Sequence, residues 1–153
     1  MTTQYWLMKS EPNSYSIDNL KKDHQTFWSG VRNYQARNFM RDAIKVGDKV
    51  LFYHSNAEPP GVVGIAKVCK PGYPDFTSWD PQNHHYDPKS TPQKPLWYMV
   101  DVEFVEKFPK IISLTELKDH PGLTGMLVLK RAMRLSVQPV SKEHFNLITH
   151  WFK

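Results

Sequence analysis

Apolar positions recur along this chain with two different periods, and the changes between them mark out its elements. Tyr5 to Lys9 (YWLMK) is a short apolar run stopped by Glu11-Pro12-Asn13, which predicts a buried strand ending in a turn. Ser16 stands ready to cap a brief helix over Ile17 to Lys22. From Asn33 to Ile44 the apolar residues are Ala36, Phe39, Met40, Ala43 and Ile44, the spacing of an amphipathic helix, and Gly47-Asp48 ends it. Lys49–His54 and Val62–Val68 are β-branched and aromatic runs joined by SNAEPPG, which predicts an antiparallel hairpin. Trp97–Phe104 alternates as a strand, Ser113 caps a short helix through Asp119, and Arg134–Gln138 (RLSVQ) reads as another strand. Ser141 opens a last helix with Phe145, Leu147, Ile148 and Trp151 on its buried face.

Residues 71–96 have no apolar period and hold six of the twelve prolines, so they read as one long loop that Trp79 and Tyr86 keep ordered. Five strands and four helices without regular βαβ alternation predict an α+β domain around a mostly antiparallel sheet or small barrel, one domain over residues 1–153.

Composition changes this picture little, with 40% hydrophobic and 23% charged residues describing an ordinary globule. Aromatic residues at 13%, with five tryptophans, point to rings used for more than filling space. A net charge of +5 favours an anionic partner, nucleic acid or a nucleotide ahead of a lipid surface. The single cysteine, Cys69, excludes an internal disulfide and predicts a reducing compartment. The N-terminal apolar run is too short for a signal segment or membrane span, so a cytoplasmic protein is expected, nuclear in a eukaryote.

Signatures of phosphate-cradling loops, zincins and nucleophile elbows are missing. His84-His85 with Asp80 and Asp87 has a spacing compatible with a metal, but adjacent histidines in a polar loop are more often solvated, and no metal or cofactor is expected. The densest chemistry is FWSGVRNYQARN, Phe27 to Asn38. With a helix starting near Asn33, Trp28, Ser29 and Gly30 precede its N-terminus, where free N–H groups beside an indole would suit a flat ligand with polar edges. Arg37 and Arg41, four apart, would follow a phosphate backbone. A bland reading stands beside this one: Trp28 in the core, Asn33 as a helix cap, the arginines on a solvated face.

YWLMKSEP (5–12), WSGVRNYQARN (28–38), GDKVLFYHSN (47–56), GVVGIAKV (61–68), YPDFTSWD (73–80) and RLSVQPV (134–140) together resemble the EVE domain family, which includes the thymocyte nuclear protein group. The resemblance spans essentially the whole chain, in order, and no appended nuclease or motor is expected. It implies a PUA-like fold related to YTH domains, and a non-enzymatic module that reads a modified base, chiefly a modified cytosine, in DNA or RNA. By the same resemblance Trp28 is one stacking wall, while Trp79 is either the opposing wall or a loop anchor. Ser29, Gly30, Val31 and Asn33 would meet the base edge, with Ser10, Glu11, Ser55 and Asn56 as further candidates, and Lys9, Arg32, Arg37, Arg41 and Arg134 would hold phosphates. Arg134 and Ser136 lie in the last strand block, and Arg134 has structural pairing with an acid as its other reading. The alternative is an enzyme acting on RNA or a nucleotide, with Lys9, His54 and Glu11 as acid–base groups. A monomer is expected.

Overall fold

A computed structural model of the chain describes residues 3–130 and 134–153. Six strands form one open sheet: β1 Tyr5–Ser10, β2 Gln25–Phe27, β3 Lys49–His54, β4 Gly61–Pro74, β5 Tyr98–Ser113 and β6 Val137–Val140, in the spatial order β2-β5-β4-β3-β1-β6. β1 and β3 run parallel, with Tyr5 opposite Lys49 and Ser10 opposite His54; the other neighbours are antiparallel. Four short helices pack on it: α1 Ile17–Asp23, α2 Tyr34–Asn38, α3 Leu114–Asp119 and α4 Lys142–Thr149.

The unbroken apolar runs in β1 and β3 have a direct cause, since the sheet is covered on both faces. Trp6, Met8, Val50 and Phe52 join one core with Ile17 and Leu20 of α1 and Ala36 of α2. The intervening Leu7, Leu51 and Tyr53 join a second core with Leu117 of α3 and Phe145 and Ile148 of α4. Successive side chains of each strand therefore feed opposite cores.

Several elements depart from the sequence expectation. The helix expected over Asn33–Ile44 stops at Asn38 and continues as a π-type turn, Phe39–Ala43, closed by Ile44 N–H donating to the Phe39 carbonyl at 2.8 Å. β4 crosses that turn so closely that a Cβ on Gly72 would lie 2.1 Å from the Met40 carbonyl oxygen, which only glycine permits. β4 and β5 run well beyond Val68 and Phe104, with register shifts along their pairing that bend the pair. β2 lacked an apolar signature because it is a three-residue edge strand. The last strand starts at Val137 rather than Arg134, its register set by Met8 opposite Val137 and Tyr5 opposite Val140, and its edge position accommodates Pro139.

One buried acid ties β1 to the turn before β3. Asp48 accepts from the Trp6 indole N–H at 3.0 Å, from Gln4 N–H at 3.0 Å and from Lys45 N–H at 2.9 Å. Replacing it would strand these donors away from water. Asp48→Ala is expected to lower stability by about 3 kcal/mol, read from the midpoint of chemical denaturation, with Trp6→Phe, which removes only one donor, costing clearly less.

Candidate nucleic-acid interface

A pocket of about 400 Å³ opens at the end of β1, where it meets β2 and the long loop. Lys9 and Ser10 reach it from β1, Ser14 and Tyr15 from the turn that follows, and Thr26 and Phe27 from β2. Trp28 and Ser29 continue the wall, and His84 and His85 of the long loop close it. Trp28 is 7% exposed, its backbone N–H donates to the Val100 carbonyl at 2.8 Å, and its ring meets Phe52 edge to face with centroids 5.3 Å apart. It is thus core residue and pocket wall together.

The segment after Trp28 is shaped by a buried carboxylate across the chain. Asp75 accepts from Gly30 N–H at 2.9 Å and from the Arg32 guanidinium at 3.1 Å, and its second oxygen takes the Thr77 N–H at 2.9 Å and the Thr77 hydroxyl. Burial alone would push the Asp75 carboxyl up, but the Thr77 hydroxyl, the Gly30 N–H and Arg32 outweigh it and hold it below the usual carboxylate range. Arg32 also donates to the His85 carbonyl at 2.6 Å, which fixes the loop over the pocket. Gly30 has φ +83°, and a Cβ there would lie 2.5 Å from His85 Nε2, so glycine lets the imidazole rest on the backbone. Further along, Ser78 donates to the Ser90 hydroxyl at 3.1 Å, Trp97 donates to Asp87 at 2.7 Å and Arg37 donates to the Leu96 carbonyl at 2.7 Å. These polar ties, in place of an apolar period, order residues 75–97.

Of the residues singled out from sequence, Lys9, Ser10, Trp28 and Ser29 meet in the pocket. The others have different surroundings. Val31 is buried in the core, the Gly30 N–H is taken by Asp75, and Asn33 caps α2 by accepting the Ala36 N–H at 3.0 Å. Glu11 accepts from the Asn56 amide, and Ser55 N–H donates to the Ser10 carbonyl at 3.0 Å, so these three brace the neighbouring strand end. Arg32 and Arg37 hold loop carbonyls, Arg41 pairs with Asp42 at 2.8 Å on the surface, and Arg134 is exposed just before β6. Trp79 ends the 3-10 turn Phe76–Trp79, outside the pocket lining, with its indole N–H buried and unpartnered. Sequence reasoning missed Ser14, Tyr15, Thr26 and the pocket role of Phe27; it weighed His84 and His85 only for metal.

Electrostatics within the pocket are lopsided. Its ionisable lining is Lys9, Tyr15, His84 and His85, with no carboxylate among the lining residues. Burial lowers the Lys9 ammonium, and burial, then His84 and Arg32, lower the His85 imidazole; the two histidine rings lie 3.9 Å apart. Burial and the hydrogen bond to Asp23 push the Tyr15 phenol up to about 12. Hydrogen-bond acceptors on a ligand are what such a lining favours. The acid–base trio Lys9, His54 and Glu11 is not assembled. His54 lies in a different groove beside α1, where its Nε2 accepts the Ile17 N–H at 3.1 Å. Among the described residues, no group of three His, Cys, Asp or Glu side chains is arranged to hold a metal, and no helix is long and apolar enough to cross a membrane.

Residues 4–151 match the EVE domain model. The chain belongs to the EVE domain family. This EVE domain is 44% identical over 164 residues to thymocyte nuclear protein 1 of Homo sapiens, an alignment spanning 95% of this chain and 72% of the relative. Its fold matches a hypothetical protein from Leishmania major at TM-score 0.94 and 49% identity, covering 98% of this chain and 94% of the other. It also matches human THYN1 in complex with 5-methylcytosine-containing DNA at TM-score 0.90 and 43% identity, covering 97% of each chain. The α+β, PUA-like arrangement implied by the resemblance is the one found, and of the two expected forms, sheet or small barrel, it is an open curved sheet.

Because the Asp75 carboxyl is held below its ordinary value, its contribution to stability is fully present above about pH 4 and is lost as pH falls through the lower folded-state value. In Asp75→Asn, stability at pH 7 is expected to drop by about 2 kcal/mol and its loss on acidification below pH 4 to be shallower than in the wild type, as read by thermal melts across pH.

Proposed function

We propose that this EVE domain is a non-enzymatic DNA-binding module that reads a modified cytosine by taking the base into the pocket beside Trp28. The observation that carries this reading is the pocket of about 400 Å³, walled by a core-anchored indole, in a fold shared at TM-score 0.90 with a protein solved bound to 5-methylcytosine-containing DNA.

The division of labour follows from chemistry. Trp28 provides the rigid aromatic wall, and a base stacked on such a ring gains about 1 to 3 kcal/mol. Lys9 and the Ser29 hydroxyl provide donors for the O2 and N3 acceptors of cytosine, in a lining without a competing carboxylate, while the Ser10 hydroxyl, whose proton goes to the Tyr15 carbonyl, offers an acceptor. Glu11, braced against Asn56 outside the pocket, leaves the exocyclic amine to other acceptors, of which the Ser29 hydroxyl is one. Extruding a base from a duplex costs a few kcal/mol, so stacking and edge contacts offset that cost with little to spare. A buried methyl adds roughly 0.8 kcal/mol, about fourfold in affinity, so sharper discrimination rests on polar contacts to the modified position. Phosphate contacts supply the remainder. Arg41 and Arg134, on the surface, stay in that role, while Arg32 and Arg37 serve the fold.

In fluorescence-polarisation titrations with oligonucleotides differing at one cytosine, the wild type is expected to favour the modified base, with affinity falling as salt rises. Trp28→Leu keeps an apolar side chain in the core and removes the aromatic face. That variant, folded by circular dichroism, is expected to lose about tenfold in affinity for the modified strand and most of the preference. A folded Trp28→Leu protein that keeps the preference overturns the reading.

A further inference from the structure

Two phenylalanines beside the pocket contribute little to the core. Phe27, the last residue of β2, lines the pocket yet is 44% exposed, and Phe76, at the start of the 3-10 turn after β4, is 46% exposed. Their rings meet edge to face, with centroids 5.1 Å apart and planes at 61°. Such exposure of adjoining aromatic rings marks a contact surface, and phenyl rings without a polar atom favour a flat, apolar partner face.

Both positions are held by backbone and not by partner side chains in a core. Phe27 pairs with Asp101 of β5, and Phe76 follows Asp75, whose carboxylate caps the turn and grips the Gly30 N–H. The pair therefore stands at a fixed place relative to Trp28, one residue beyond Phe27. Continuity is what identifies the occupant. Phe27 lines the pocket and its ring meets Phe76, which lies outside the lining, so the two exposed rings extend the pocket's surface, and in nucleic acid the neighbours of a base are other bases.

We infer that Phe27 and Phe76 form an aromatic wedge that takes over the stacking position vacated by the target base and packs on the adjoining base pair of a duplex. The inference rests on the reading that the pocket holds an extruded base, and it adds that the partner is double-stranded. Apolar side chains set between base steps stabilise an opened stack in just this way. In a single strand no stack has to be opened, so the wedge has much less to contribute. The net charge of +5 on the chain favours a polyanionic partner.

The test uses the full chain and three DNA probes: a duplex with one 5-methylcytosine, the same modified strand alone, and a duplex with that base opposite an abasic site. Phe76 is the residue to change because it lies outside the pocket lining. Phe76→Ala is expected to weaken binding to the paired duplex by about tenfold, to leave single-strand binding within about twofold, and to show an intermediate loss on the abasic duplex. Phe76→Leu, which keeps an apolar wedge, restores most of the duplex affinity, and thermal melts verify that both variants fold. Equal losses on single strand and duplex, no loss on either, or a wild type that binds only the single strand each overturn the wedge. Trp28→Leu separates the two ideas: if it weakens all three probes while Phe76→Ala changes none, the pocket stands and the wedge falls, and if it changes none the pocket itself is wrong.

Discussion

The carboxylate of Asp75 is fully buried, and the form of the pocket depends on what it holds. A buried charge is tolerated only when its lone pairs are filled, and here the Gly30 N–H, the Arg32 guanidinium, the Thr77 N–H and the Thr77 hydroxyl fill them. Those four donors come from two segments about forty-five residues apart, so satisfying one acid forces the turn after Trp28 against the turn after β4. Arg32 passes the constraint onward to the His85 carbonyl, and the His85 ring settles on Gly30. The pocket wall is thus a by-product of charge satisfaction, built from groups that could not be left apart inside the protein.

That dependence explains what was legible in the sequence and what was not. Elements with a strong apolar period were legible, because their periodicity is the direct record of burial: YWLM and VLFY read as buried strands, and the structure shows cores on both faces of each. Caps written in local chemistry were legible too, as at Ser16, Ser113 and Ser141. Illegible were features decided by distant partners. The amphipathic spacing over Asn33–Ile44 records which side faces the core, but it does not distinguish a regular helix from one that widens into a π-type turn beneath β4. β2 is set by Gln25 opposite Glu103 and Phe27 opposite Asp101, pairings that leave no local trace in three largely exposed residues.

The site divides along the same line. Trp28, Ser29, Lys9 and Ser10 were visible because they sit in a stretch crowded with rings and polar groups or at the end of a clear strand. The arginines of FWSGVRNYQARN read locally as phosphate ligands, since one guanidinium follows a turn by two residues and another lies on a helix. Nothing local shows that Arg32 is needed by Asp75, or Arg37 by the Leu96 carbonyl. His84 and His85 were read for metal because adjacent histidines carry that association. Their place in the pocket follows from Arg32 and Asn83 holding the His85 backbone, which is a tertiary fact.

In the proposed reading, Trp28 connects stability with recognition. A base reader gains most when its stacking wall is already in place, because a ring ordered only on binding would charge its entropy against affinity. Packing the indole edge to face on Phe52, within a core that also holds Met8 and Val100, meets that requirement before any ligand arrives. The polar side of the pocket is prepared differently. Ser10 Oγ already donates to the Tyr15 carbonyl at 2.6 Å, and the Lys9 ammonium is shifted by burial toward giving up its proton. Under the proposed reading, a wall preorganised by apolar packing and a lining without a carboxylate together suit a flat ligand with acceptors along one edge.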